Sequence, residues 1–254
     1  MLPTDAILRV TDTGGPVSVP LDHATVAKVI DASGGDLHSR SMTPTGIKAI
    51  DLLCPLPEQG RIALVGDAHT GKVVLVEELI QRLGASGARL SIHVFVETPD
   101  EVTTINALEY RMSASIEAIC LPVTDSSREA LADLLSRFDV VIAFSSQLAR
   151  QRLYPAIDAA RPSSRLLDTD ALDPAHGELA ATVRTVLTRG ETRAEMIRRF
   201  LTHPFYVAEE FTGRPGAHVP LAETMHGCTM LLDDEDIGLA PDDLYMIGAL
   251  PPVS

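Results

Sequence analysis

From Gly46 onward, short continuous apolar runs alternate with stretches whose apolar residues recur every three or four positions. The runs "RIALV" (61–65), "LSIHVFV" (90–96), "EAICLPV" (117–123) and "DVVIAF" (139–144) have the length and β-branched content of buried strands. Between them, "VVLVEELIQRL" (73–83) has helical spacing and Gly84 as its stop, and residues 101–113 read as a second helix. Ser126 and Glu129 form a capping box that opens a third helix over 127–137. Strands alternating with helices of this length predict a mostly parallel sheet covered on both faces, an α/β fold.

The texture changes twice. Residues 6–40 hold Gly, Pro, Asp and short β-branched runs, so "VTDTGGPVSVP" reads as extended segments joined by turns. After about residue 175 the pattern is helical, with helices expected at 176–189, 191–202, 205–212, 220–232 and 241–248. The loop at 162–177 is the best boundary. It divides the chain into an α/β domain (1–175, with 1–45 as an extended entry) and a C-terminal helical domain (176–254). No internal repeat or low-complexity tract is present.

Composition narrows the classes further. Hydrophobic residues make up 45% of the 254, but aromatics only 4%, so aliphatic side chains must fill the core. The net charge of -14 argues against a general nucleic-acid binder, which needs a cationic face for phosphates. It suits a protein with a basic partner. The first residues show no basic stretch followed by a long apolar run, and no apolar run reaches membrane length. Cys54, Cys120 and Cys228 are scattered and odd in number, which fits reduced thiols of a cytoplasmic protein.

One motif carries chemistry. "GDAHTGKV" (66–73) matches G-x-x-x-x-G-K between a predicted strand and a predicted helix. Gly66 and Gly71 let the loop through Asp67, Ala68, His69 and Thr70 curl, so that backbone N–H groups face inward. Lys72 supplies a cation, and the helix that follows adds its positive end. The eighth position is Val73, where a hydroxyl normally helps to hold magnesium; valine has no ligand atom. Thr70 and His69 could substitute in part, although both also read as ordinary polar loop residues.

The flanks point to a family. "TGIKAIDLLCP" (45–55) resembles the approach to the nucleotide site in F-type ATP synthase beta subunits, and "DTGGPVSVPLDHATVAKVI" (12–30) resembles the entry into their nucleotide domain. "YPAID" (154–158) followed by "SSRLLD" is similar to the segment that carries the adenine-stacking tyrosine. "RRFLTHPFYVAEEFTG" (198–213), "VPLAETMHG" (219–227) and "LYMIG" (244–248) are similar to the C-terminal helical domain. The loop itself is closer to that of the alpha subunit. The resemblance implies a RecA-like P-loop core that binds ATP or ADP. It places Tyr154 against the base, with Phe205 and Phe211 closing the pocket from the helical domain. Each aromatic taken alone reads equally as core filler.

The departures matter as much. The family places a catalytic glutamate after the strand that follows the P-loop helix. Here Asp100 stands at that position, one methylene shorter, and Glu101 replaces an arginine; "TPDE" is also good helix-start chemistry. The strand-end carboxylate that holds magnesium through water is replaced by Ser145, and Asp139 lies at the opposite end of that strand. Magnesium is therefore not expected to be well held. Eight residues separate Ser145 from Tyr154 where the family carries a long stretch, and the acidic lever segment before "MIRRF" is missing. The family's N-terminal β-barrel is likewise not expected.

These departures predict a nucleotide-binding pseudo-ATPase acting in regulation, assembly or scaffolding. Its expected partner is a protein: further copies of itself or ATP synthase-like subunits. An active ATPase with a rewired site, and an interaction protein with no ligand, are the alternatives. A Rho-type helicase shares the core but fits the acidic charge poorly.

Overall fold

The computed structural model describes residues 5–8, 17–20, 41–84, 89–96, 115–120, 135–161, 164–190, 193–233 and 238–251. It is a mixed α/β structure. A six-stranded sheet runs in the order β2-β1-β7-β6-β5-β8, with β1 Asp5–Leu8, β2 Val17–Pro20, β5 Gln59–Val65, β6 Arg89–Val96, β7 Ser115–Cys120 and β8 Val140–Ala143. The pairs β7–β6, β6–β5 and β5–β8 are parallel. The β1–β2 hairpin joins the β7 edge antiparallel. A two-stranded ribbon of β3 Met42–Thr43 and β4 Leu56–Pro57 stands apart.

The expected strands at 61–65, 90–96 and 139–144 are therefore present, and the one at 117–123 is present as far as Cys120. β5 lies inside the sheet, and Ile62, Ala63, Leu64 and Val65 are buried in succession. Consecutive burial means that both faces of this strand are covered, as a parallel sheet demands. At the β8 edge, antiparallel bridges from Ser164 to Val140 and from Ile157 to Phe144 cap strand groups that would otherwise be open. The helix expected over 101–113 and the Ser126 capping box lie outside the described residues.

The helices are α1 Lys48–Leu53, α2 Lys72–Leu83, α3 Ser146–Arg150, α4 Pro174–Arg189, α5 Ala194–Leu201, α6 Glu209–Thr212 and α7 Leu221–Leu232. In α2, Leu75, Val76, Leu79 and Leu83 form the buried stripe while Gln81 faces solvent. One hydrophobic cluster runs from Ile62, Leu64, Leu75 and Leu79 through Val183 and Ile197 to Phe200 and Leu231. The C-terminal helices thus pack on the same core as the sheet.

The helix bounds depart from expectation at several places, and three departures have a visible cause or change the element's kind. Helix α4 starts at Pro174, two residues earlier than read, because the Asp173 carboxylate accepts the Ala175 N–H at 2.9 Å and proline suits the first turn. The stretch 205–212 is a 3-10 turn at Tyr206–Ala208 followed by α6. Of 241–248, Pro241–Leu244 alone is helical.

The segment 45–51 is a buried polar clasp. The Asp51 carboxylate accepts the Thr45 N–H (2.9 Å), the Thr45 hydroxyl (2.6 Å) and the Gly46 N–H (2.8 Å). Burial nevertheless pushes this carboxyl above its ordinary value, against those hydrogen bonds. Lys48, fully buried, donates to the carbonyls of Ile247 (2.6 Å) and Gly248 (2.9 Å), and its ammonium lies 4.4 Å from the centre of the Phe200 ring. One side chain of α1 thereby holds the backbone at Ile247 and Gly248.

Burial lowers the Lys48 ammonium from 10.5 to about 7. Cys228 pulls the other way, but its thiol is itself pushed up to about 12 by burial and is uncharged over that range. Between pH 7 and 10.5 the unfolded chain keeps a proton on this lysine that the folded chain has released. Stability from this group therefore rises with pH across that window, by at most about 1.4 kcal/mol per unit, and is flat below it. Urea unfolding at pH 7 to 10 is expected to show this rise in the wild type and to lack it in Lys48→Met. An equal rise in both proteins would assign it to other groups.

Candidate functional site

The loop at 66–71 links β5 to α2, as the sequence predicts. Its backbone needs special conformations. Gly66 has φ 151, and a Cβ there would stand 2.7 Å from the Phe144 Cβ at the end of β8. Gly71, at φ 96, is the N-cap of α2. His69 takes φ 61, a left-handed conformation that few non-glycine residues adopt. Such strain clusters at functional loops.

The Lys72 side chain is buried and folds back on the loop, donating to the carbonyls of Gly66 and of Asp67, the latter at 3.0 Å. The Thr70 hydroxyl donates to the same Asp67 carbonyl at 2.8 Å. The Asp67 carboxylate accepts from the Ser146 hydroxyl of α3, so the loop is tied to the helix that follows β8. These contacts hold the loop in a closed curl with Lys72 across its mouth.

A cavity of about 700 Å³ opens at this end of α2. His69, Thr70, Gly71, Lys72 and Val73 line it, and so do Tyr154 and Phe205. The Tyr154 ring lies against the loop: a Cβ on Gly71 would be 3.6 Å from its Cδ1 and Cε1. Its hydroxyl donates to the Ala149 carbonyl at 3.3 Å, and the Tyr154–Pro155 peptide is cis. Ala156, Pro204, Ala208 and Met246 make much of the remaining wall apolar. A second cavity, of about 360 Å³, is lined by Ser145, Leu153, Glu195 and Arg198 and holds no loop residue.

Residues far apart in the sequence, 69–73, 154 and 205, therefore meet at one cavity. Phe211 does not line it and is 90% exposed. Ala208 and Thr212, one turn apart, face the cavity, and Phe211 lies about 100° around the helix from Thr212. Gly66, Asp67 and Ala68 shape the loop without lining the cavity. Asp100 and Glu101 lie outside the described residues. His203 and Arg214, not singled out in the sequence, both line the cavity. His203 stands two residues before Phe205, within the stretch that carried the resemblance, and that proximity was the available signal.

The residues that the sequence analysis weighed as metal ligands are placed as follows. Val73 follows Lys72 and offers no oxygen. Ser145 is the N-cap of α3, and its hydroxyl accepts the Leu148 N–H at 3.4 Å. Asp139 sits beside Arg61, where its carboxylate accepts the Arg61 N–H at 2.7 Å. Arg61 precedes the buried part of β5, whereas the loop follows Val65, so Asp139 is at the far end of the sheet, as expected. Residues lining the cavity offer cations and aromatic faces instead. No protein-family model matches this sequence.

Proposed function

We propose that the chain binds ATP or ADP in this cavity and hydrolyses it poorly, as an internally shortened relative of the F-type ATP synthase beta subunit with a RecA-like core. The observation that carries the reading is that one cavity joins the G-x-x-x-x-G-K loop and two of the three aromatic residues expected around the base. Its volume is within the range of small-ligand sites. Aromatic stacking would hold the base, and Lys72 with the N-terminus of α2 would hold phosphate. With Val73 in place of the loop hydroxyl and Ser145 in place of the strand-end carboxylate, magnesium would add little. Such a protein would act on a protein partner, as a regulatory, assembly or scaffolding subunit.

Isothermal titration with ADP and ATP tests this directly. Binding is expected in both magnesium and EDTA, with similar affinity. Tyr154→Ala is expected to weaken ADP by roughly 5- to 150-fold, the scale of one lost stacking contact. Absence of heat at millimolar nucleotide would leave the loop as a structural relic. Strict magnesium dependence would favour the rewired ATPase.

A further inference from the structure

Within the segment 245–248, Met246 lines the cavity. It takes φ 56, a left-handed conformation that a non-glycine residue keeps only where its surroundings hold it. Hydrogen bonds to separate parts of the chain supply that hold. The Tyr245 hydroxyl donates to the Arg152 carbonyl at 2.9 Å, and the Met246 N–H donates to the Thr202 hydroxyl oxygen at 2.7 Å. Just beyond, Lys48 Nζ donates to the carbonyls of Ile247 and Gly248 at 2.6 and 2.9 Å. The strained residue is thus the one at the cavity, and the ties flank it on both sides.

These ties set the segment beside the aromatic part of the cavity. Thr202, which takes the Met246 N–H, precedes His203, whose own N–H donates to the Tyr154 carbonyl at 2.9 Å. Arg152, which takes the Tyr245 hydroxyl, stands two residues before Tyr154, and Phe205 stands three residues after Thr202. Met246 therefore belongs to the wall that carries Tyr154 and Phe205, whereas Lys72 is engaged on the loop carbonyls of Gly66 and Asp67.

Among the ties, Lys48 spans two consecutive carbonyls with one group. It is fully buried, its ammonium packs 4.4 Å from the centre of the Phe200 ring, and its helix is held by the Asp51 clasp on Thr45 and Gly46. Without this donor the two carbonyls must turn toward other donors or water, because an acceptor left unmatched costs free energy. The left-handed turn at Met246 then loses its support on one side. We infer that Lys48 is a positioning residue for the cavity: by holding the Ile247 and Gly248 carbonyls it fixes the Met246 wall, and so sets how closely the cavity fits the base of a nucleotide. Lys48 itself does not line the cavity. The inference rests on the nucleotide reading above and adds to it a hold exerted from α1.

The test compares ADP with pyrophosphate, which has phosphates and no base, both titrated into the full chain. Lys48→Met keeps the length of the side chain and removes the donor. Thr202→Val keeps the shape of its side chain and removes the acceptor of the Met246 N–H, the other tie on the same wall, in case Lys48→Met fails to fold. Each is expected to weaken ADP about tenfold, the upper scale of one neutral hydrogen bond, and to leave pyrophosphate as in wild type. A merely structural role would weaken both ligands together. An equal loss for the two ligands, or unchanged ADP affinity in whichever variant folds, would overturn the inference and leave the nucleotide reading standing. No binding of ADP by wild type would overturn both.

Discussion

Glu78→Ala is expected to lower the unfolding free energy by about 3–5 kcal/mol, the usual cost of removing one partner from a buried ion pair. Glu78 is fully buried on α2. Its carboxylate accepts Arg82 Nε at 2.6 Å and the N–H groups of Tyr206 and Val207 at 3.1 and 3.0 Å. Arg82 in turn donates to the carbonyls of Thr45 (3.1 Å) and Ala217 (2.6 Å), and its guanidinium stacks 4.6 Å from the centre of the Tyr206 ring. One pair thus ties α2 to residues 45, 206, 207 and 217. Truncating Glu78 would strand a buried guanidinium and two N–H groups together. Glu195 makes the same i,i+4 contact with Arg199 at 2.7 Å, but in the open. Glu195→Ala should therefore cost less than about 1 kcal/mol. Urea denaturation of both variants measures the contrast, with the midpoint shifting for Glu78→Ala at little change in slope. Similar midpoints for the two would show that burial does not set the strength of this pair.

The same pair explains where sequence reading fell short. Periodicity over 205–212 supports one helix, and nothing local to it signals otherwise. The Glu78 carboxylate takes the N–H groups of Tyr206 and Val207, and the chain there forms a 3-10 turn before α6 starts. Lys48 acts similarly at the C-terminal end. It takes the Ile247 and Gly248 carbonyls from about 200 residues away in sequence, and the helix expected over 241–248 stops at Leu244. Both errors have one cause: a buried charge fixes the backbone of a segment whose own sequence does not contain that charge.

The sheet, by contrast, was legible because its strands are continuous apolar runs that need no partner to be recognised. So was the loop, because glycine spacing and the lysine are local features. The site was legible in part. Tyr154 and Phe205 were placed at the cavity by resemblance, and they line it. Phe211 belongs to the same stretch, yet it faces solvent, since α6 and the residue that caps it present Thr212 and Ala208 to the cavity instead. His203, which also lines the cavity, was not singled out although it stands two residues before Phe205, and its setting depends on its hydrogen-bond partners. Those partners, Ala217 and Arg82, come from other parts of the chain.

Lys72→Ala should separate the two ends of the cavity. The ammonium now satisfies itself on the Gly66 and Asp67 carbonyls, next to the N-terminus of α2. A bound phosphate would exchange those neutral acceptors for a charged one. Hydrogen bonds to charged groups contribute about 1.5–3 kcal/mol. Loss of the lysine is therefore expected to weaken ADP by roughly 10- to 150-fold. Adenosine, which has no phosphate, should bind the Lys72→Ala protein as it binds wild type. Tyr154→Ala should weaken adenosine and ADP alike. Titrating both ligands into both variants gives four affinities. If Lys72→Ala weakens adenosine as much as ADP, the lysine maintains the shape of the loop and has no direct hold on phosphate. If it weakens neither, the cavity binds its ligand without the loop, and the G-x-x-x-x-G-K motif serves to cap α2 alone.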